Sequence, residues 1–302
     1  MSQRQSLQLV IAVPLTMSLG ECPVWDQREN RLHWIDIHAG RIYSWAPGDK
    51  DEPRVSQIGE PIGSLALTAN GLLAATASGL WLLDRHNQKH QCLTSNPEWH
   101  EGEGNRFNDG RTDRKGRFWV GTLDRKETAS SAALYCWAGS HLELKLSGLA
   151  ISNGLAFSPD GKWMYHADSP QRQIRRYPFD PQSGELGQGE QWIDLNAFGL
   201  PGAPDGAAVD SLGRYWCALY GGAQVACFDP SGHHLFSIDL PCPHPTMVAF
   251  GGSDLRTLFV TTARQHLSPE QVKQWPQAGS LFSCEVGVPG LAEPSLGVEE
   301  AL

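Results

Sequence analysis

The 302-residue chain carries 33 acidic and 24 basic side chains and a formal net charge of −9. That length is ample for a large buried core, and the acidic balance excludes the clustered Lys and Arg surface that nucleic acid requires. The apolar stretch from Leu7 to Leu15 is interrupted by Gln8 and Pro14. It falls far short of the roughly 20 residues of a membrane helix and lacks the small-residue cleavage site of a secretory signal. Seven scattered cysteines with no CxxC spacing point to neither a disulfide framework nor a zinc knuckle. A soluble, cytoplasmic protein without nucleic-acid or membrane partners is expected, as a monomer or weak homo-oligomer.

Along the chain, 32 Gly, 20 Pro and 11 Trp accompany short alternating runs rather than helix-period segments, which reads as all-β. Leu7 to Val13 alternates as a strand. One unit then recurs: an apolar pair, a small turn, and an apolar-aromatic strand. It is seen at Val24-Trp25-Asp26 leading to Leu32-His33-Trp34, and at Leu65-Ala66-Leu67-Thr68 leading to Leu72-Leu73-Ala74. It returns at Thr112 to Trp119, Ala156 to Trp163, Val209 to Trp216, and Ala249-Phe250-Gly251 before Leu258-Phe259-Val260. The turn-opening residues fall at positions 26, 68, 113, 158, 210 and 251, spaced 42, 45, 45, 52 and 41 residues apart. Six repeats spaced 41 to 52 residues apart predict a six-bladed β-propeller. It forms a single domain over residues 1–302, and the N-terminal strand completes the last blade and removes a sheet edge.

Five residues before each anchor stand Glu21, Gly63, Asn108, Asn153, Asp205 and Thr246. In superimposed repeats these positions share one mouth of the central channel. Four of them carry carboxylate or carboxamide oxygens, a donor set suited to a hard divalent cation such as Ca²⁺, Mg²⁺ or Mn²⁺. Taken singly, Asn108-Asp109-Gly110, Asn153-Gly154 and Asp205-Gly206 are also good turn sequences. Glu21 has no such turn role. Asp113-x-x-Gly116 and Asp210-x-x-Gly213 read as hairpin turns, and His244 as a loop histidine. Trp25, Trp34, Trp81, Trp119, Trp163 and Trp216 read as blade packing, and Cys217 and Cys227 as small core residues. No GxSxG elbow, HExxH, Walker loop or dinucleotide fingerprint occurs.

The segments Gly20-Glu21-Cys22-Pro23-Val24-Trp25, Asn105 to Gly110, Ser152 to Ser158, Ala167-Asp168-Ser169, Pro204-Asp205-Gly206 and Pro245 to Gly252 resemble the signature segments of the regucalcin/gluconolactonase family. The resemblance runs from about residue 10 to about residue 290. It implies a six-bladed propeller with one divalent metal in the channel and hydrolysis of a sugar lactone. Carried over by position, it implies metal ligands at Glu21, Asn153 and Asp205 and substrate contacts at Arg106, Asn108 and Asp109. The metal expected is Ca²⁺, ahead of Zn²⁺, Mg²⁺, Mn²⁺ and Fe²⁺. Two departures stand out: Gly121-Thr122-Leu123 replaces the family's Gly-Thr-Met, and Arg125-Lys126 follow where relatives often carry a second Glu.

These readings combine into a metal-dependent lactone hydrolase, with Asp205 as general base and Lys126 as a substrate-binding residue for an anionic substituent. The alternative is a calcium-binding regulatory protein of regucalcin type without significant lactonase activity.

Overall fold

A computed structural model describes residues 7–100, 102–125 and 130–297. Lys126 therefore lies outside the described residues. The six repeats become six four-stranded antiparallel sheets in a ring. Their inner strands are Gly20–Asp26, Ile62–Leu67, Arg106–Thr112, Ser152–Phe157, Ala203–Val209 and Pro245–Gly251, which head blades 1 to 6. The sixth blade is completed by the N-terminal strand Val10–Val13, which pairs with Leu281–Glu285. That strand is shorter than the alternating run Leu7 to Val13, but it closes the ring as expected. The wider fourth repeat holds the loops between Pro178 and Glu190 and between Asp194 and Ala203.

Each anchor opens a turn, as its spacing implies. Asp113 accepts the Lys115 and Arg117 N–H groups on Oδ1, and Arg117 Nε and Trp119 Nε1 on Oδ2. Asp210 repeats the pattern with Leu212, Arg214 and Trp216. These aspartates tie a turn to a tryptophan of the next strand and do no chemistry. Trp34, Trp119 and Trp216 are fully buried between sheets, and all seven cysteines are free thiols, six of them buried.

A second regularity matters more for the site. Every inner strand breaks register with its neighbour at the same place: between Glu21 and Val24, Ile62 and Ser64, Phe107 and Gly110, Asn153 and Ala156, Pro204 and Ala207, and Pro245 and Val248. A bulge bends the strand and re-aims a side chain. The six bulges coincide with the six register positions, which is why those side chains leave the blade interior.

Two of the six take structural duties. Thr246 Oγ1 donates to the Gly20 carbonyl at 2.5 Å, tying blade 6 to blade 1. At Gly63 the backbone of blade 2 runs so close to the Phe107 carbonyl and the Asn108 nitrogen that a Cβ would collide with them. The segment from Leu291 to Pro294 lines a cavity at the far ends of the inner strands, beside Trp25, Arg111, Phe157, Val209 and Phe250. There Arg111 pairs with Glu293 at 2.9 Å and donates to the Leu155 and Ala207 carbonyls.

The Gly63 contact is testable. A methyl group there must push apart two inner strands, and overpacking a tight site costs about 1–3 kcal/mol. Gly63→Ala is expected to lower the urea midpoint by an amount equivalent to about 2 kcal/mol with an unchanged m-value.

Candidate active site

The bulged positions of blades 1, 3, 4 and 5 meet in one cavity of about 260 Å³ at the channel mouth. Glu21, Asn108, Asn153 and Asp205 all line it, beside Arg106, Ser169, Tyr220, Gln265 and His266. Leu19, Ile37, Leu123, Ile151, Pro170 and Ala203 supply apolar wall. The four oxygen-donor residues are buried.

A chain of hydrogen bonds orders the polar wall. Arg106 Nη1 donates to Asn108 Oδ1 at 2.7 Å and to its neighbouring Phe107 carbonyl at 2.9 Å. Asn108 Nδ2 donates to Asn153 Oδ1 at 2.8 Å and to the Ser152 carbonyl at 3.0 Å. Asn153 Nδ2 donates to Ser169 Oγ at 2.9 Å, and Ser169 Oγ donates to the Pro204 carbonyl at 2.7 Å. An amide whose NH₂ is bound in this way has its orientation decided, and one lone pair of Asn153 Oδ1 remains for another partner.

The carboxylates are held against electrostatic opposition. Burial pushes Glu21 up to about 8, helped by the charge of Asp109, against the Cys22 N–H bond and the Arg106 guanidinium, which lower it. Burial also lifts Asp205 well above the ordinary carboxylate range, with Glu21 and Asp109 adding to the rise. The Cys22 N–H reaches Glu21 Oε2 at 2.7 Å from a left-handed backbone (φ 44°) that a non-glycine residue rarely adopts. Strain of this kind persists only where the surroundings over-determine it.

Asp109, expected at the substrate, is not among the residues lining the cavity. Its Oδ2 accepts the Leu155 N–H at 2.9 Å, while Oδ1 is buried without a hydrogen-bond partner. Burial pushes this carboxyl up to about 6, against the Leu155 N–H and Arg111, which lower it.

Over residues 19–264 the sequence matches the SMP-30/gluconolactonase/LRE-like region. The chain belongs to this family. It is 43% identical over 292 residues to the 6-deoxy-6-sulfogluconolactonase of Pseudomonas putida, covering 96% of this chain and 98% of that protein. Human regucalcin is 30% identical over 296 residues, covering 95% and 97%. Among solved structures, the calcium-binding protein regucalcin of Agrobacterium tumefaciens superposes with a TM-score of 0.88 at 28% identity, covering 97% of this chain and 98% of that one. Family membership thus agrees with the resemblance carried by the motifs.

Sequence reasoning missed Ser169 as the residue that orients Asn153, and it missed Tyr220, Gln265 and His266 altogether. His244 does precede a strand in a loop, but it is buried and stacks on Tyr220 with ring centroids 4.3 Å apart.

Among the described residues no group of three or more His, Cys, Asp or Glu side chains is gathered to hold a metal. The candidate centre is instead two carboxylates and a carboxamide. Its chemistry fits a hard divalent cation: all donors are oxygens, the amide is already oriented, and the buried carboxylates need positive charge nearby.

A pH test follows. The folded state keeps the Glu21 proton up to about 8, whereas an unfolded chain loses it near the ordinary glutamate value of 4.5. The native state then binds more protons across that window, so metal-free stability falls as pH rises through it. A cation bound to the ionised pair reverses the loss and competes with protons below it. Adding 1 mM Ca²⁺ (about 100 times an assumed Kd) to chelator-stripped protein is expected to raise Tm by several degrees at pH 8 and much less at pH 5, read by calorimetry.

Proposed function

We propose that this protein is a metal-dependent hydrolase that opens a sugar lactone to the corresponding sugar acid. One observation carries the reading: four oxygen-donor side chains from a single repeat register converge on one cavity. Its support from similarity is a chain 43% identical, over nearly its whole length, to a 6-deoxy-6-sulfogluconolactonase. Glu21, Asn153 and Asp205 would hold one divalent cation, Ca²⁺ ahead of the alternatives, which supplies Lewis-acid polarisation of the lactone carbonyl.

The chain's own residues supply the rest. Arg106, fixed by its hydrogen bond to Asn108, directs its guanidinium at the ring oxygen and hydroxyls, and Asn108, whose two amide hydrogens go to Asn153 and Ser152, offers its Oδ1 to a hydroxyl, so little orientation is lost on binding. Asp205 takes a proton from the attacking water as its oxygen bonds to the carbonyl carbon. The ring C–O bond then breaks, and the proton passes from Asp205 to the departing alkoxide oxygen. The products are a carboxylic acid and a hydroxyl on one open chain. Burial and the neighbouring Glu21 raise the proton affinity of Asp205 in the metal-free protein.

Hydrolysis of gluconolactone in a pH-stat tests this. Chelation is expected to abolish turnover and an added divalent cation to restore it. Asp205→Ala is expected to fall to the uncatalysed rate, and Asp205→Asn, which keeps an oxygen donor but cannot take the proton, nearly as far. Near-normal turnover in a metal-loaded Asp205 variant sinks the proposed base. The second reading, a calcium-binding protein without significant lactonase activity, draws on the likeness to regucalcin. It predicts calcium binding with no acid release from any lactone. Two carboxylates predict modest affinity in that case.

The relative's name also motivates a choice among lactones. Arg125 sits in the loop after the second strand of blade 3, its guanidinium 5.3 Å from the Trp99 ring and donating to the Gly102 carbonyl. Lys126 follows it in sequence. We assign this basic pair to an anionic substituent at the far end of the sugar. Lys126→Ala is expected to lower kcat/KM about tenfold for 6-deoxy-6-sulfogluconolactone and less than about twofold for gluconolactone. Equal losses on both substrates remove Lys126 from specificity.

A further inference from the structure

The turn that follows the Thr257–Thr262 strand brings Gln265 and His266 to the cavity. The turn is pinned by main-chain bonds from Gln265 N to the Ser18 carbonyl (2.8 Å) and from Ala263 N to the His244 carbonyl (3.0 Å), and by Arg264 Nε donating to the Ala278 carbonyl. His266 is held in the left-handed region at φ 66°. This is a strained choice for a histidine, and such strain gathers at functional sites.

Four side chains there form a circuit. His38 Nε2 lies 3.2 Å from Gln265 Oε1, Gln265 Nε2 lies 3.1 Å from His266 Nε2, and His266 Nδ1 lies 3.0 Å from Tyr220 Oη. The Tyr220 hydroxyl donates to the Gln265 main-chain carbonyl at 3.2 Å. The directions follow from the atom types. An amide oxygen only accepts, so His38 donates. An amide nitrogen only donates, so His266 Nε2 accepts and its proton sits on Nδ1, facing Tyr220. Every bond is made with both imidazoles neutral. Burial and the Arg106 charge, which lower the His38 pKa, act in the same direction.

Blades 3 and 6 stand three places apart in a ring of six, so they face each other across the channel. One side of the cavity is the Arg106–Asn108 pair of blade 3. The other is neutral, pre-oriented and rich in both donors and acceptors, with Tyr220 braced by stacking on His244. No Lys or Arg from blades 5 or 6 lines this side, so an anionic group would find no counter-charge on it. A hydroxyl, which both donates and accepts, suits it.

We propose that Tyr220, Gln265 and His266 form a second substrate wall, which binds the ring hydroxyls of the sugar lactone opposite Arg106 and Asn108 and so sets which lactone is accepted. The proposal rests on the lactonase reading above. Gln265 and Tyr220 act by direct contact with substrate, through the amide hydrogen and lone pairs that the circuit leaves open, and His266 positions them.

The test compares gluconolactone with δ-valerolactone, the same ring without hydroxyls, in the metal-loaded protein. His266→Gly removes the imidazole while relieving the left-handed backbone, and Gln265→Ala breaks the circuit at its centre. Each variant is expected to lower the ratio of kcat/KM for gluconolactone over δ-valerolactone about five- to tenfold, the loss of one or two neutral hydrogen bonds. The change should fall on KM more than on kcat. His266→Asn, which tolerates the same backbone and keeps an N–H donor, is expected to recover part of the ratio. An unchanged ratio in both His266→Gly and Gln265→Ala overturns the proposal. If the wild-type protein hydrolyses neither lactone, the lactonase reading fails separately. The wall is then judged by calorimetric binding of gluconate: an approximately tenfold weaker Kd in His266→Gly supports it, and equal binding or none to the wild type overturns it.

Discussion

Two carboxylates held out of water within each other's field are an expensive arrangement. Glu21 and Asp205 come from blades 1 and 5, and both have their charged forms opposed by burial and by a third acid, Asp109. What the protein sets against this is small: one N–H apiece from Cys22 and Gly206, and the charge of Arg106. Removing ions from water costs several kcal/mol each unless opposite charge and hydrogen bonds offset it. A positive guest in the cavity, as proposed above, would offset that cost. The hydrogen-bond chain from Arg106 through Asn108, Asn153 and Ser169 to Pro204 keeps the neutral donor groups from relaxing onto the acids.

The rigidity needed for that comes from closure. A strand taken from the N-terminus completes the last blade, leaving the ring without a seam at which it can open. Thr246 and Gly63, the two register positions that carry no donor to the cavity, hold neighbouring inner strands together, one by a hydrogen bond and the other by close approach. Below the site charged side chains follow one another along the channel: Glu21 and Asp205 at the mouth, then Asp109, then Arg111 paired with Glu293. Arg111 lowers the Asp109 pKa and Glu293 raises it, so the Arg111–Glu293 pair is felt electrostatically towards the mouth. Asp109 belongs to this axial series more than to the cavity wall.

The period of the chain made much of this legible. A turn must open every blade, and a bulge five residues earlier needs residues that leave the strand, so the two signals recur together and the register can be counted. That count reached Glu21, Asn108, Asn153 and Asp205 without structural information. It did not extend to Asp109, whose expected place at the substrate came from the family resemblance; Asn108 and Asp109 share one bulge. Adjacent residues there point to different levels of the channel, and sequence adjacency holds no record of which goes where. Ser169, Tyr220, Gln265 and His266 lie off the register, in a short helical turn, at a strand end and in a loop. Their assembly depends on how blades 4, 5 and 6 tilt towards one another, which no local pattern encodes. A histidine in a left-handed conformation, the strongest mark of that wall, leaves no trace in composition.

The division between register and loop residues has a chemical consequence. Groups at the bulges are coupled to blade packing through the one strand that pairs with each inner strand, so replacing one of them disturbs the blade. The loop residues are held by a few main-chain bonds and by one another, as in the circuit from His38 through Gln265 and His266 to Tyr220. Changing one of them alters a hydrogen-bonding surface without moving an inner strand. A neutral wall on blade 6 facing a cationic one on blade 3 can therefore treat two ends of a sugar differently while the centre between them stays the same. On the reading proposed above, the reaction would belong to the symmetric part of the fold, and the choice of substrate to the part that breaks the symmetry.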